Sequence, residues 1–313
     1  MTIKKNSRPV KNLISVVGPT GIGKTRLAID LAKYFNTEII SCDSRQFFKE
    51  MEIGTASPSS EELAEAPHHF IGNLSVKEYY SIGQYEEDAL QKLNDLFEKY
   101  DTVILVGGSM MYEKAVIEGL NDLPEANTEN QQKLQEILDT EGIEKLQEIL
   151  KELDPEYYGV VDFHNHRRLL RAIDIIWQTD KKYSELIAIS QDSRDFNVIR
   201  VGIEAPREEL YNRINRRVDI MMEKGLMEEA KGLEQFKELT ALNTVGYAEL
   251  FKFFEGVWSL EFAVEEIKKN SRRYAKRQLT WYRKADDIHY VQMGYSPLDF
   301  DHLIAYIGQQ TSH

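Results

Sequence analysis

The sequence predicts an α/β protein, a parallel sheet covered on both faces, with an all-helical subdomain inserted into it. Three features point that way. A short apolar run, Leu13-Ile14-Ser15-Val16-Val17, enters a glycine-rich loop at residues 18–25 and leaves it as a helical pattern. Strand and helix signals keep alternating as far as Leu123-Pro124. From residue 127 to about 193 only helical periodicity remains, until Asn197-Val198-Ile199-Arg200-Val201-Gly202-Ile203 restores a strand.

The loop reads Gly18-Pro19-Thr20-Gly21-Ile22-Gly23-Lys24-Thr25, the spacing of a phosphate-binding loop in a P-loop core like that of nucleoside-triphosphate hydrolases. Its glycines let backbone N–H groups turn inward around a diphosphate. Lys24 adds a point charge, and Thr25 offers a hydroxyl to a magnesium ion. The flanks suit the motif, because Leu27, Leu31 and Tyr34 recur at helical spacing after it.

Further along, Glu38-Ile39-Ile40-Ser41-Cys42 reads as a short strand ending at Asp43-Ser44-Arg45-Gln46. A helix is expected over residues 82–100, with Tyr85, Ala89, Leu93, Leu96 and Phe97 as its apolar stripe. Thr102-Val103-Ile104-Leu105-Val106 is a continuous apolar run, as in a strand buried on both sides, and it ends in Gly107-Gly108-Ser109. The expected division is a core of residues 1–124 and 197–313 with a helical insertion at 125–196. Beyond it the chain is mostly helical, with a late strand at Ile288-His289-Tyr290-Val291.

Composition narrows the class. A single cysteine, Cys42, excludes a disulfide framework and any cysteine-based zinc cage. The start, Met1-Thr2-Ile3-Lys4-Lys5-Asn6, enters no apolar signal segment, and no run is long enough to span a membrane. A cytoplasmic monomer with no membrane partner is expected. The net charge of −13 argues against nucleic acid as a partner, yet eight basic residues and no acid lie between Lys268 and Lys284.

Three constellations carry chemistry. Asp43 closes the second strand, so it is expected in the ligand crevice with Lys24 and Thr25, able to take a proton from a nucleophile. Its bland alternative is a loop cap bonding nearby N–H groups. In the helical block, Arg167 and Arg171 lie four apart on one face while Leu169, Leu170 and Ile173 point to a core. His164 and His166 have no further ligand cluster with them and read as surface or RNA-facing. Lastly, Arg272, Arg273, Lys276 and Arg277 interleave with Tyr274, Trp281 and Tyr282, as on a helix that tracks a nucleic-acid backbone. A solvated charged face explains either basic segment taken singly.

Together these segments resemble the bacterial tRNA dimethylallyltransferases (tRNA isopentenyl transferases) over almost the whole chain. Besides the loop, the landmarks are Asp43-Ser44-Arg45-Gln46, Met51-Glu52-Ile53-Gly54-Thr55-Ala56, Pro67-His68-His69, Gly107-Gly108-Ser109, residues 167–171, Val245-Gly246-Tyr247-Ala248-Glu249 and residues 272–281. The resemblance implies transfer of a dimethylallyl group from its diphosphate to the exocyclic amine of the adenosine beside the anticodon of a tRNA. It implies that residues 18–25 bind the diphosphate, with Lys24, Thr25 and Arg217 on the departing charge and Asp43 as general base. It further implies RNA contacts from Asp43, Ser44, Arg45, Gln46, Ser109, Gln131, Arg167, Arg168, Leu169, Leu170 and Arg171. This chain departs from the family at Gly21-Ile22, where Ala-Ser is commoner, at Ser109 for threonine, at Phe70-Ile71-Gly72 and at His166.

Rival readings are a prenyltransferase of free adenine nucleotides, a small-molecule P-loop kinase, and a non-catalytic RNA-binding module. A mononucleotide needs no extended basic track. A kinase usually holds magnesium with an acid after a buried strand, where this chain has Gly107 and Gly108. An RNA-binding module leaves the loop and Asp43 without a purpose.

Overall fold

A computed structural model describes residues 10–188 and 194–311. The polar start at residues 1–6 and the end of the expected helical block, 189–193, lie outside the described residues. The first part of the core contains β1 (Lys11–Val17), α1 (Lys24–Phe35), β2 (Ile39–Ser41), α2 (Ser60–Glu65), β3 (His68–His69), α3 (Ile82–Phe97), β4 (Thr102–Val106) and α4 (Met110–Glu118). A helical block follows: α5 (Thr128–Glu141), α6 (Ile143–Leu153), α7 (Pro155–Tyr158), α8 (His166–Thr179) and α9 (Tyr183–Ile187). The core then resumes as β5 (Phe196–Glu204), α10 (Arg207–Glu223), α11 (Leu226–Leu233), α12 (Tyr247–Phe254), α13 (Leu260–Tyr282), β6 (Ile288–Gln292) and α14 (Pro297–Thr311).

The described strands form one sheet in the order β3-β2-β4-β1-β5-β6, every neighbouring pair parallel. Alternation along β1 feeds the two faces. Ile14 and Val16 pack with Leu27, Leu31, Leu210 and Ile214, whereas Leu13 packs with Tyr85, Leu93 and Phe97. β2 is shorter than its apolar run and β3 is two residues long, too short to leave a periodic signal in the sequence. Local chemistry sets the helix ends. Ser81 and Gln84 make a reciprocal capping box at the start of α3, and Asn36 in the left-handed region (φ 48°) closes α1.

The chain divides into residues 1–117 with 194–313 and a helical unit of residues 118–193. The divisions expected at 124/125 and 196/197 therefore move outward at the first junction and inward at the second. The cause is local bonding. The Pro124 carbonyl accepts from Arg171 Nη2 at 2.5 Å and the Glu125 carbonyl accepts from Gln178, so residues ahead of α5 belong to the helical unit. Arg194 donates to the Ala115 and Val116 carbonyls and pairs with Glu86, which ties it to the core. Within the helical unit, Leu134, Leu146, Leu150, Leu169 and Ile173 make the centre.

At the carboxyl end of β4 the chain passes so close to β2 that no side chain fits. A Cβ on Gly107 would stand 2.5 Å from the Cys42 carbonyl carbon and 2.6 Å from its sulfur. Gly107→Ala is expected to cost roughly 1–3 kcal/mol, read as a lower urea midpoint with an unchanged m-value, because the obstacle is backbone and cannot rotate away.

Candidate active site

The phosphate loop connects β1 to α1, and its backbone is unusual where it must curl. Gly21 and Gly23 have φ values of 79° and 112°, in the region that favours glycine. Gly23 caps α1 without a side-chain acceptor, so the first amides of the helix remain as donors for an anion. Ile22 is buried in the core and anchors the loop, so its contribution to an anion site is backbone only. This explains why isoleucine is tolerated there.

Lys24 Nζ donates to the Pro19 carbonyl at 3.0 Å. Desolvation lowers its pKa to about 8, against the opposing pull of Asp43 and with a further lowering from Arg217. Two arginines of α10, four residues apart, reach the loop: Arg213 Nε donates to the Gly21 carbonyl (3.0 Å) and Arg217 Nη1 to Thr20 Oγ1 (3.3 Å). Arg217 Nη2 also donates to the Thr55 carbonyl at 3.3 Å.

Asp43 sits in the turn after β2. Its Oδ1 accepts from Arg45 N–H at 3.2 Å, which is the bond of a local cap. Its Oδ2 makes no hydrogen bond among the described residues and lies against Gly108, where a Cβ would approach it to 2.8 Å. One oxygen thus holds the turn and the other remains available for a proton. The close approach also bars an acid at 107, where a side chain would collide with the backbone of Cys42 and Asp43. The Cys42 thiol is pushed well above its ordinary pKa by burial and then by Glu113 and Asp43, which leaves it unreactive.

Two cavities meet at Asp43. One, of about 920 Å³, is lined by the loop, Lys24, Thr25, Gln46, Arg213 and Arg217. The other, of about 510 Å³, is lined by Ser44, Arg45, Gly54, Ser109, Thr244 and Arg277. Thr20, Asp43, Arg217, Met221 and Tyr274 line both, so Asp43 and Arg217 stand at their junction.

The remaining expected residues divide by what they already hold. Ser109 Oγ accepts from Ser44 N–H at 3.0 Å and shares a hydrogen bond with the Ser44 hydroxyl at 2.9 Å, a pairing that needs no threonine methyl. Arg45 braces the Thr240 and Ala241 carbonyls, and Gln46 braces those of Thr55 and Ala56. In the basic run, Lys268 and Lys269 are neutralised by Asp219, Glu265 and Glu266, and Arg272 bonds Asn215. The open strip is accordingly narrower than expected: Arg273, Lys276, Arg277 and Lys284 around the half-exposed Trp281.

In the helical unit, Arg167 and Arg168 are exposed in the first turn of α8. Arg171 instead turns toward the Pro124 carbonyl and buried Asp174. Leu169 and Leu170 are core residues, because the helix phase that exposes 167 and 168 buries their side chains. Gln131 lies half-buried in the first turn of α5. His164 and His166 are exposed, and no group of three or more His, Cys, Asp or Glu among the described residues would hold a metal.

Sequence reasoning missed Gln278. This fully buried amide on α13 accepts from Thr20 N–H of the loop (2.8 Å) and donates to the Gly108 carbonyl (2.7 Å). Tyr274 donates to the same carbonyl at 2.6 Å. The available signal was phase: Ala275, Gln278 and Tyr282 share the buried stripe, and a polar residue on such a stripe needs a buried partner.

Thr25 fits a magnesium ion. Its hydroxyl borders the larger cavity and makes no hydrogen bond among the described residues. An ion that keeps most of its waters and takes oxygens from a diphosphate requires little more from the protein.

A parallel α/β core with this loop at the carboxyl ends of its strands defines a P-loop protein, here with Asp43 beside the loop in a cavity that Glu52 and Glu62 also line. Residues 46–285 match the family model described as IPP transferase. The chain is 52% identical over 280 residues to a tRNA dimethylallyltransferase of Christiangramia forsetii, covering 90% of this chain and 93% of the relative. It is 47% identical to tRNA dimethylallyltransferase 1 of Phocaeicola vulgatus, over 88% of this chain and 92% of that one. Among solved structures it is similar to the tRNA isopentenylpyrophosphate transferase of Bacillus halodurans, with a TM-score of 0.72, 33% identity, and 96% and 97% of the two chains covered. A eukaryotic dimethylallyltransferase acting on tRNA gives a TM-score of 0.76 at 26% identity, over 90% of this chain and 74% of that one. The chain belongs to the IPP transferase family, as its resemblance implied.

Lys24 sets a pH dependence. Below about pH 8 its ammonium is present and above it is lost, so affinity for a diphosphate ester falls as pH rises. Titration calorimetry is expected to show roughly ten- to thirtyfold weaker binding at pH 9.5 than at pH 7.5. Lys24→Arg, charged throughout, is expected to remove that dependence.

Proposed function

We propose that this chain transfers a dimethylallyl group from dimethylallyl diphosphate to the exocyclic amine of the adenosine adjacent to the anticodon in tRNA, releasing diphosphate. The observation that carries the mechanism is Asp43 at the junction of the two cavities, which Arg217 also lines, with one carboxylate oxygen unbonded among the described residues. In this reading the larger cavity takes the donor and the smaller takes the unstacked adenine.

The donor's C1–O bond breaks as C1 bonds to the adenine nitrogen. The electron pair of the broken bond leaves with diphosphate, and the amine proton goes to Asp43 Oδ2. Lys24, the amides at the start of α1 and Arg217 take up the departing charge, held in place before the reaction begins. Magnesium, when bound at Thr25, supplies additional charge neutralisation on the diphosphate oxygens. The adenine amine is a weak nucleophile because its lone pair is delocalised, so placement and proton removal both matter. A positioned base is typically worth about 100- to 10,000-fold.

An adenosine must leave its stack to reach Asp43, at a cost of a few kcal/mol that backbone contacts offset. The exposed strip of Arg273, Lys276 and Arg277 supplies such contacts, and Trp281 offers a face for a base. Arg167 and Arg168 supply more, since two cations at the positive end of α8 repel its dipole until an anion joins them. Among the described residues no helix is long and apolar enough to cross a membrane, and we place the reaction in the cytoplasm with its tRNA.

Incubation of unmodified tRNA with the protein, magnesium and dimethylallyl diphosphate tests the reading by nucleoside mass spectrometry. A five-carbon gain on one adenosine is expected; stoichiometric ATP consumption without it would support a kinase instead. Asp43→Asn is expected to slow the single-turnover rate by about 100-fold or more while RNA affinity is kept. Reversing charge at Lys276 and Arg277 is expected to weaken RNA binding and to lower the salt slope by about 0.7–0.9 for each phosphate no longer neutralised.

A further inference from the structure

We propose that Glu229, which lines neither cavity, is the residue that positions Arg217. The inference rests on the role given to Arg217 above. Glu229 lies on α11, and its carboxylate accepts from two successive backbone amides, Ile53 N–H at 2.8 Å and Gly54 N–H at 2.9 Å, and from the Tyr247 hydroxyl at 2.6 Å. Successive amides aimed the same way form a concavity for an anion. Here the protein's own carboxylate fills it.

The turn held in this way has little freedom. Gly54 lies against Tyr247, where a Cβ would come within 2.4 Å of the hydroxyl oxygen. Thr55 Oγ1 donates to the Met51 carbonyl at 2.6 Å, and Ala56 adopts a φ of 46°, a strained value for a residue with a side chain. The product of this bracing is the Thr55 carbonyl, 3.3 Å from Arg217 Nη2. Because Arg217 Nη1 reaches Thr20 in the loop, the guanidinium is suspended between the turn and the phosphate site. Glu229 fixes the amides, the amides fix the carbonyl, and the carbonyl aims the guanidinium at the leaving group. A guanidinium aimed in advance needs no reorganisation as charge develops.

Glu229→Gln keeps the shape but loses the charge and one acceptor. With the full chain, dimethylallyl diphosphate and an anticodon stem-loop RNA, its kcat is expected to fall about tenfold with RNA affinity unchanged. The decisive measurement is a double-mutant cycle with Arg217→Gln. The double variant is expected to be no slower than Arg217→Gln alone, because the proposal routes the carboxylate's effect on the rate through that guanidinium. Losses that multiply, or a lowered thermal midpoint with kcat intact, would overturn the proposal and leave the role of Arg217 standing. A native rate in Arg217→Gln alone would overturn both. If Glu229→Gln does not fold, Tyr247→Phe, which spares both amide bonds, enters the same cycle with a smaller expected loss and the same criterion.

Discussion

The site depends on how closely β4 approaches β2 at their carboxyl ends. Parallel pairing in register, Ser41 beside Val106, brings Gly107 and Gly108 directly onto Cys42 and Asp43. This contact leaves no room for an acid at 107, and Asp43 Oδ2, set against Gly108, makes no hydrogen bond among the described residues. The same close approach thus bars a side chain at 107 and sets Asp43 against Gly108.

Gln278 extends that constraint to the rest of the core. Its amide joins the loop at Thr20 to the Gly108 carbonyl, and it stands on the same helix as the exposed strip of Arg273, Lys276 and Arg277. Removing a buried amide's partners is costly, so the loop, the β4 end and α13 hold one geometry together. Glu229 does the same for the turn at residues 52–56.

Much of this was legible in the sequence because it rests on local rules. The loop spacing, the apolar run at 102–106 and the stripe from Tyr85 to Phe97 each report a backbone state that neighbours in sequence decide. Asp43 was legible because strand ends face the crevice of a parallel sheet. The two-residue β3 and the joints made by Gln278 and Glu229 were not, since the Thr20 amide lies 258 residues from Gln278 and the Ile53 amide 176 residues from Glu229 along the chain. The basic run misled for a related reason. Its own stretch holds no acid, but Asp219, from α10, and Glu265 and Glu266, just upstream, cancel Lys268 and Lys269.

That cancellation sharpens the electrostatic argument. A chain with a net charge of −13 repels a polyanion at long range, and salt screens this repulsion beyond a Debye length of about 8 Å at physiological ionic strength. What decides binding is therefore charge within that distance and free of internal partners. Among the described residues Arg273 keeps only an amide oxygen of Asn270 and Arg277 only the face of Tyr274, while Arg167 and Arg168 stand exposed at the start of α8. Arg171, Arg272 and Lys268, equally basic on paper, are engaged within the protein. Selecting cations by what they lack as partners, instead of by their number, reconciles an acidic protein with a polyanionic substrate.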